Sequence, residues 1–362
     1  MTIKKILVIR FRRVGDSVLS MALCHSLKQT FPDAEIHFVI NKGIAPLYIN
    51  HPDIQKIITF NDRELKGLTY IKKVKEVVTA THYDVIIDMR STPKTLPFSL
   101  FSLSTPYRIG RCKPYNHLIH NYRVSYPVDY NRVESNLAMM EPLSCEAKLI
   151  KDTKFPLYIT EKEKSDYHKY MEQQGIDFNR PIILAAIATR IVGKSWPKEK
   201  MITILKNIIG QHEAQIIFNY GGEAEKAVAT DYYESLGSDR HIFLNIEAKG
   251  LRELCALCAN SHFFFGNEGG PRHISQAFSV PSFAIYPPNI SKQFWLPNPC
   301  ERYQGISPDE FMPLEQQLSQ KLTYQERMNL IPVESVWERL HQMLSRFLPA
   351  IQVIPTQNPI NK

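Results

Sequence analysis

The first segment whose residue types could support chemistry lies near the start of the chain. Residues 8–17 predict a strand that enters a glycine-containing loop and then a helix, with Asp16 at the start of that helix. Open α/β sheets bind ligands at the carboxyl ends of their strands, which is where this loop lies. Asp16 is therefore expected to face a ligand cleft. The alternative is a structural role, in which Asp16 or Ser17 caps the helix by accepting backbone N–H bonds.

A second candidate segment, residues 187–197, also follows a predicted strand. It fits the spacing of a phosphate-binding P-loop with Ala188 in place of the first glycine, which would indicate a nucleotide-hydrolysing enzyme. Pro197 opposes this interpretation, because proline lacks an N–H group and clashes one turn back, so the helix should start at Pro197. Thr189 and Lys194 still suit a polyanion, since a hydroxyl and an ammonium group both donate to phosphate oxygens.

The third candidate segment, residues 263–274, again predicts a strand, a glycine turn and a helix. Adjacent glycines, Gly269 and Gly270, let the phosphates of a ligand approach the N–H groups at the helix start, where the helix dipole also favours negative charge. Glu268 in the same turn could accept hydrogen bonds from ribose or sugar hydroxyls. The structural alternative is a plain turn in which His273 is a packed helix residue.

The elements around these segments predict the fold class. Short apolar runs alternate with helix-length segments, a pattern typical of βαβ units with parallel sheets, so we expect an α/β protein. The predicted strands are residues 6–9, 35–40, 57–60, 85–88 and 107–110 in the first half, and 182–188, 215–219, 241–245, 262–265 and 282–286 in the second. Because the alternation restarts, two doubly wound domains in tandem are expected.

The domain boundaries follow from the same pattern. We expect a first domain over residues 1–155, a second over 156–330, a helix over 331–348 that packs back on the body, and a tail from 349 to 362. The boundary between the two domains lies somewhere within residues 145–180. The last helix is predicted because Val336, Trp337, Leu340, Leu344 and Phe347 recur at helical spacing.

Charge is distributed unevenly along the 362 residues. The first 155 residues contain 23 Lys and Arg against 14 Asp and Glu, a net charge of +9, whereas the remainder contains 21 against 22, a net charge of −1. A one-sided positive field attracts an anionic partner, such as nucleic acid, an anionic membrane surface, or a phosphorylated or carboxylated substrate. The alternative is a generally basic, solvated surface.

Composition excludes several classes of protein. No apolar stretch approaches the roughly 18 to 20 residues that span a bilayer, and the first residues predict a strand and not a signal peptide. Six cysteines in so long a chain are too few for a disulfide framework, so a cytosolic location is expected. The one Cys-x-x-Cys, Cys255 and Cys258, lacks the partners of a zinc site and is interpreted as two buried helix residues.

Taken together and in order, the three segments resemble glycosyltransferase family 9, which includes the ADP-heptose:lipopolysaccharide heptosyltransferases. The resemblance covers nearly the whole chain. Its most specific part is residues 266–273, which are similar to the family signature Gly-Asn-Asp-Ser-Gly-Pro-x-His, with Glu268 and Gly269 in place of the usual Asp-Ser or Asp-Thr. The segment Lys194-x-Trp196-Pro197 and the N-terminal residues 5–10 and 15–19 are further points of similarity.

The resemblance implies a GT-B fold, in which two Rossmann-like domains bind the acceptor on the N-terminal side and the donor nucleotide sugar on the C-terminal side. It implies an inverting glycosyltransferase that needs no metal or other cofactor. The expected reaction transfers a sugar, heptose from ADP-heptose, to an anionic acceptor such as the lipopolysaccharide core or another lipid-linked saccharide. Asp16 would act as general base on the acceptor hydroxyl while the diphosphate leaves.

The resemblance also implies site residues. Lys194 is expected to act in catalysis by stabilising the leaving group, and Glu223 remains an alternative to Glu225 at the donor site. The expected donor-binding residues are Thr189, Lys194, Glu225, Glu268, Gly269, Gly270 and His273. The expected acceptor-binding residues are Arg10, Arg12, Arg13, Arg63, Lys66 and Arg111.

Other functions remain open at this stage. A P-loop-like NTPase would hydrolyse ATP with Mg²⁺, and a sugar-nucleotide-binding protein without catalysis would differ only in turnover. Nucleic acid is not the expected partner, because the basic residues are dispersed and no recognised nucleic-acid module is present. The expected location is the cytoplasm, with at most peripheral contact with the inner face of the inner membrane. The transferred sugar, the acceptor hydroxyl and the oligomeric state are not determined by the sequence.

Overall fold

The chain folds into two compact units, as described by a computed structural model for residues 1–11, 13–189 and 195–350. The first unit comprises Met1–Thr160 and Ser291–Asn298, and the second comprises Glu161–Ile290 and Pro299–Lys362. We refer to Ser291–Asn298 as the returning segment. The sequence pattern predicts that this segment belongs to the second domain, whereas the structure groups it with the first unit.

The first unit contains a six-stranded parallel sheet in the order β3-β2-β1-β4-β5-β6. Its strands are β1 (Lys5–Ile9), β2 (Glu35–Asn41), β3 (Lys56–Phe60), β4 (Val85–Asp88), β5 (Tyr107–Arg111) and β6 (Tyr122–Val124). The strand order reverses between β1 and β4, where Ile9 pairs with Asp88. Ligands of doubly wound sheets bind outside the carboxyl ends of the strands at such a point, so the loops after β1 and β4 are in position to form a site.

Helices cover this sheet. They are α1 (Val14–Leu19), α2 (Met21–Thr30), α3 (Gly67–Thr79), α4 (Leu96–Leu100) and α5 (Arg132–Leu137), with short 3₁₀ helices at Lys42–Tyr48 and Ala138–Leu143. The sequence predicts a helix after the first glycine-containing loop, and the structure has two helices there that meet at Ser20. The Ser20 hydroxyl donates to the Asp16 carbonyl oxygen at 2.8 Å, a back-bond that often bends helices.

The second unit repeats the architecture with the strand order β12-β11-β10-β7-β8-β9. Its strands are β7 (Ile182–Ala186), β8 (Gln215–Phe218), β9 (Ile242–Phe243), β10 (Phe263–Asn267), β11 (Ser282–Ile285) and β12 (Tyr303–Ile306). Here the order reverses between β7 and β10. The second and third candidate segments follow these two strands. Because both sheets are parallel and six-stranded, with a reversal of strand order in each, the predicted doubly wound α/β class is confirmed for both units.

The remaining helices follow the same chain order. They are α6 (Glu161–Gln173), α7 (Lys198–His212), α8 (Glu223–Ser235), α9 (Leu251–Ala259), α10 (Gly270–Ala277), α11 (Lys292–Trp295, in the returning segment), α12 (Leu314–Ser319), α13 (Tyr324–Asn329) and α14 (Val333–Phe347), with a 3₁₀ turn at Pro308–Glu310. The predicted last helix is confirmed as α14, which buries Val336, Leu340 and Leu344 in the core of the second unit. Within the described ranges, no helix is both long and apolar enough to cross a membrane.

Candidate active site

Asp16 is a buried carboxylate that contacts two arginines among the described residues. It lies in the first turn of α1, with 5% of its surface exposed, and the N-cap of that helix is Arg13, for which no side-chain capping bond is found among the described residues. Its Oδ1 atom accepts hydrogen bonds from Arg10 Nη2 and from Arg132 Nη2, the latter at 2.7 Å. A simple capping role does not account for these contacts, whereas two cations on one carboxylate oxygen favour its charged form.

The loop after β4 anchors Arg10. Asp88 ends that strand, and its Oδ1 accepts the N–H groups of Arg90 at 2.9 Å and Ser91 at 2.8 Å, which fixes the turn. The turn presents the Met89 carbonyl oxygen, which accepts from Arg10 Nη1 at 3.3 Å and from Arg111 Nε at 2.9 Å. The arginines that follow β1 and end β5 therefore share one backbone acceptor beside Asp16.

Arg111 is also committed to protein groups. Its guanidinium donates to the Tyr126 hydroxyl and to Asn136 Oδ1, and it lies 4.7 Å from the centroid of the Tyr126 ring. Burial, with a smaller contribution from Arg132, lowers the pKa of Arg111 to about 10, so it remains a cation at neutral pH. Arg10 and Arg111, which the sequence predicts to bind the acceptor, are both buried and bonded within the protein, and their role in acceptor binding stays a prediction.

The other expected acceptor residues are placed differently. Arg13, Arg63 and Lys66 are exposed, so their charges are available to an anionic partner. Arg12 lies outside the described residues. Arg132 was not anticipated, because nothing in its local sequence distinguishes it from a solvated arginine.

On the second unit, β10 approaches β7 closely at Gly266. The φ angle of Gly266 is +139°, and a Cβ atom there would lie 2.8 Å from Ala186 N and closer still to its carbonyl oxygen. Asn267 then ties the strands together, since its Nδ2 donates to the carbonyl oxygens of Ala186 at 3.1 Å and Ile187 at 3.0 Å. Its Oδ1 accepts the Trp196 N–H at 2.9 Å, so Asn267 fixes the end of the loop that follows β7. Sequence reasoning gave Asn267 no role.

The glycine turn after β10 presents backbone and a carboxylate at the start of α10. Gly269 is the N-cap of this helix, and a Cβ atom there would meet only the Pro271 ring among the described residues, at an ordinary 3.8 Å. Packing of the described residues therefore does not require glycine at this position, and its bare backbone is suited to close approach by a ligand. Glu268 Oε1 lies 3.2 Å from the Nε2 atom of His273, which is buried.

A buried arginine determines the tautomer of His273. Arg272 is fully buried, and its guanidinium donates to Gln276 Oε1 at 2.8 Å and to His273 Nδ1 at 2.7 Å. Because arginine can only donate, His273 Nδ1 must be the acceptor, and the ring proton lies on Nε2, facing Glu268. We refer to these three residues as the Arg272–His273–Glu268 relay. It orients the Glu268 carboxylate, and the sequence analysis did not anticipate Arg272.

The other predicted donor residues are less defined. Glu225 Oε2 accepts the N–H of Gly221 at 2.7 Å in the first turn of α8, which is a turn-stabilising contact, while Glu223 is the exposed first residue of that helix. Thr189 is half-buried in the loop after β7, and Lys194 lies outside the described residues.

Comparison with known proteins identifies the family. The sequence model of glycosyltransferase family 9 (heptosyltransferase) matches residues 71–309. The chain belongs to this family. It is therefore a glycosyltransferase, as the resemblance of its three motifs implied.

Two curated relatives cover most of this glycosyltransferase. Lipopolysaccharide heptosyltransferase 3 of Escherichia coli strain K12 is 23% identical over 353 residues, which span 93% of this chain and 97% of the relative. Lipopolysaccharide heptosyltransferase 1 of Campylobacter coli is 23% identical over 287 residues, 78% of this chain and 83% of the relative.

Solved structures share the fold of this glycosyltransferase. A family 9 glycosyltransferase from Veillonella parvula superimposes with a TM-score of 0.76 at 17% identity, over 95% of this chain and 98% of that structure. E. coli ADP-heptose LPS heptosyltransferase II superimposes with a TM-score of 0.73 at 20% identity, over 94% and 99%. The GT-B fold is thereby confirmed.

Two motifs have structural explanations in this glycosyltransferase. Helix α7 begins at Lys198 with Pro197 as its N-cap, within one residue of the helix start that the proline predicts. Cys255 and Cys258 are buried on α9, where burial raises the pKa of the Cys258 thiol to about 12, and their interpretation as packed helix residues is confirmed.

Across the part of the chain that the structure describes, no three His, Cys, Asp or Glu side chains cluster as metal ligands do.

Proposed function

We propose that this glycosyltransferase transfers heptose from ADP-heptose to an anionic acceptor of the lipopolysaccharide core, with inversion at the anomeric carbon and without a metal. The observation that carries the proposal is Asp16, a buried carboxylate at the carboxyl end of β1 whose charged form is favoured by Arg10 and Arg132. The names of the two curated relatives support the choice of sugar and pathway. Another solved neighbour, E. coli heptosyltransferase WaaC, was determined with ADP-2-deoxy-2-fluoro heptose.

The proposed reaction is a single displacement. Asp16 takes the proton of the acceptor hydroxyl, and the hydroxyl oxygen attacks the anomeric carbon of the donor. The bond from that carbon to the diphosphate oxygen breaks, and its electron pair leaves with ADP. Attack on one face and departure from the other invert the configuration. Arg10 and Arg132 favour the ionised carboxylate of Asp16, and this is the form that can accept a proton.

The donor is proposed to bind the second unit. The N–H groups at Gly269 and Gly270 and the dipole of α10 would stabilise the negative charge that develops on the departing diphosphate, a task that a divalent cation performs in other transferases. Glu268, oriented by the relay, would accept hydrogen bonds from sugar hydroxyls. We assign Thr189, Lys194, Glu225 and His273 to the donor site on the resemblance alone, with Lys194 supplying a cation to the leaving group.

An anionic membrane is the partner that we propose for one face of the first unit. Its leucines and lysines are exposed: Leu68, Leu100, Leu103 and Leu118, with Lys66, Lys72, Lys75 and Lys113. We name this set the leucine–lysine surface. Residues 62–118 carry ten Lys and Arg against five Asp and Glu. Exposed apolar side chains among lysines suit an interface with anionic lipid headgroups.

The members of this surface are held near one another. Helices α3 and α4 are in contact. Arg108 links the end of α4 to the Leu118 loop, because its guanidinium donates to the Leu103 carbonyl oxygen at 2.7 Å and to the Ile119 carbonyl oxygen at 2.9 Å. A peripheral position on the inner face of the inner membrane would bring the enzyme to a lipid-linked acceptor from the cytoplasm.

The proposal is tested by turnover with defined substrates. Purified enzyme is incubated with ADP-heptose and a core oligosaccharide that lacks heptose, with and without EDTA, and ADP release and the anomeric configuration of the product are measured. We expect equal rates in both conditions and an inverted product. Turnover of a different nucleotide sugar in place of ADP-heptose would refute the donor assignment, and loss of turnover in EDTA that Mg²⁺ restores would refute the metal-independent mechanism.

A further inference from the structure

Arg132 occupies a fixed backbone position at the start of α5. The preceding residue, Asn131, caps the helix, since its Oδ1 accepts the N–H groups of Val133 at 2.8 Å and Glu134 at 3.0 Å. Glu134 completes a capping box by accepting the Asn131 N–H at 2.8 Å. The Cα–Cβ direction of Arg132 is therefore set by the helix and not by a mobile loop.

The Arg132 guanidinium lies in a corner formed by two aromatic rings of the returning segment. Its central carbon is 5.0 Å from the centroid of the Phe294 ring and 5.1 Å from that of Trp295. The two rings are nearly perpendicular, at 86°. Arginine binds favourably over aromatic faces, and the side chain is only 12% exposed, so the corner restricts where the guanidinium can point.

The returning segment is itself anchored to the first unit. Ser291 caps α11 by accepting the Phe294 N–H at 3.1 Å, and Asn298 Nδ2 donates to the Thr153 carbonyl oxygen at 3.1 Å. The aromatic corner is therefore built on the same unit as Asp16, although its residues follow β11 of the second unit in sequence.

The two arginines on Asp16 differ in what they fix. Arg10 precedes Asp16 by six residues in the same β1–α1 connection, whereas Arg132 reaches Asp16 across 116 residues. Arg10 is tied to the loop after β4 through the Met89 carbonyl oxygen, whereas Arg132 is fixed by the capped start of α5. Arg132 therefore gives the Asp16 carboxylate a second, independent contact that sets its direction.

We propose that Arg132 is a positioning residue for the catalytic base, and that Phe294 and Trp295 act on the reaction through it. The proposal rests on the proposed function, in which Asp16 is the base. It assigns a catalytic consequence to two aromatic residues through their contact with Arg132, which in turn donates to Asp16.

The test compares three variants of this contact with the parent enzyme. Phe294→Leu and Trp295→Leu each remove one wall of the corner, and Arg132→Lys keeps a charge without the planar group that stacks. We expect kcat to fall about tenfold in each variant while KM for ADP-heptose stays within twofold, since the donor-binding unit is untouched. A matched control is Phe347→Leu in the second unit, where a ring lies 5.3 Å from Arg302 and 5.5 Å from Arg346; its kcat should equal that of the parent.

A double variant decides between positioning and general damage. In an Asp16→Asn background, Trp295→Leu should cause no further loss of kcat, because the base on which it acts is already absent. Independent, multiplicative losses would overturn the positioning role, as would parent-level kcat in both aromatic variants. If Asp16→Asn alone keeps full turnover, the proposed base is wrong, and this result is distinct from a failure of the aromatic corner. Circular dichroism melting of each variant identifies one that fails to fold.

Discussion

At the residue scale, burial decides what a charged side chain can do. Arg10, Arg111 and Arg272 are buried and donate to groups of the protein, whereas Arg13 and Arg63 are exposed. The sequence predicts one role, acceptor binding, for the four of these arginines that lie in the first unit: Arg10, Arg13, Arg63 and Arg111. The contacts divide them into buried residues that are bonded within the protein, Arg10 and Arg111, and exposed residues that can meet a partner, Arg13 and Arg63.

The Arg272–His273–Glu268 relay leads to the first prediction. Arg272→Met replaces the guanidinium by an apolar chain of similar length, so His273 Nδ1 loses its donor and the ring is free to carry its proton on either nitrogen. We expect KM for ADP-heptose to rise about tenfold, equivalent to roughly 1.4 kcal/mol, because Glu268 is no longer oriented. Nitrogen NMR of His273 should show the Nε2–H tautomer alone in the parent and a mixture of the two tautomers in the variant.

The matched control is Arg327→Met, another buried arginine of the second unit, which bonds Gln317 at 2.6 Å and Asn289 at 3.1 Å instead. Its KM for ADP-heptose should remain that of the parent. If His273 keeps the same tautomer in Arg272→Met, the proposed role of Arg272 in the relay is contradicted.

The sequence revealed only part of the site, for a physical reason. Asp16, Glu268 and His273 lie in motifs next to strand ends, where local order along the chain carries the signal. Arg132 is brought to Asp16 by tertiary packing across 116 residues, and a contact of this kind cannot be predicted from the local sequence pattern. The burial of Arg10 likewise depends on the loop after β4, whose Met89 carbonyl oxygen it contacts, so it could not be predicted from neighbouring residues in the sequence.

At the scale of elements, Gly266 allows β10 and β7 to lie close enough for Asn267 to bridge them. We predict that Gly266→Ala lowers the free energy of unfolding by about 1–3 kcal/mol, because the added methyl group collides with the Ala186 backbone and the residue must hold φ at +139°. Thermal or urea unfolding measures the change.

Gly210→Ala in helix α7 provides the comparison, since a Cβ atom there meets nothing within 4 Å. This substitution should raise the free energy of unfolding by about 0.5–1 kcal/mol, as alanine favours a helix interior over glycine. Equal effects of the two substitutions would show that the close approach at Gly266 contributes nothing.

Most of the fold could be predicted because the central strands are continuous apolar runs. Strands β1 to β5 and β7 to β11 begin and end within two residues of their predicted positions. The strands that were not predicted, β6 and β12, lie at sheet edges and pair on one side only. Two of the three residues of β6, Tyr122 and Arg123, are exposed, so it lacks the apolar run that marks a strand buried on both faces.

At the scale of the whole molecule, the excess of positive charge coincides with exposed leucines. We predict that Leu68→Gln combined with Leu118→Gln reduces binding to vesicles containing phosphatidylglycerol by tenfold or more, because two side chains that are 87% and 81% exposed would no longer enter the lipid interface. Vesicle co-sedimentation measures binding, and turnover of a water-soluble acceptor should stay unchanged.

Leu314→Gln with Leu318→Gln is the matched pair on the second unit, where the two leucines are 43% and 59% exposed. This pair should leave vesicle binding intact. Parent-level binding of the Leu68 and Leu118 variant, or equal loss in both pairs, would contradict the membrane role of the leucine–lysine surface.

The central claim, that Asp16 is the base of a glycosyl transfer, is tested most directly by Asp16→Asn. Asparagine keeps the shape of the side chain but cannot accept the acceptor proton. The measurement is kcat with ADP-heptose and the core acceptor, together with calorimetric affinity for ADP-heptose in the same preparation. The account predicts a fall in kcat of roughly a hundredfold or more with donor affinity unchanged. Near-parent kcat in this variant would contradict it and would return Asp16 to a structural role at the start of α1.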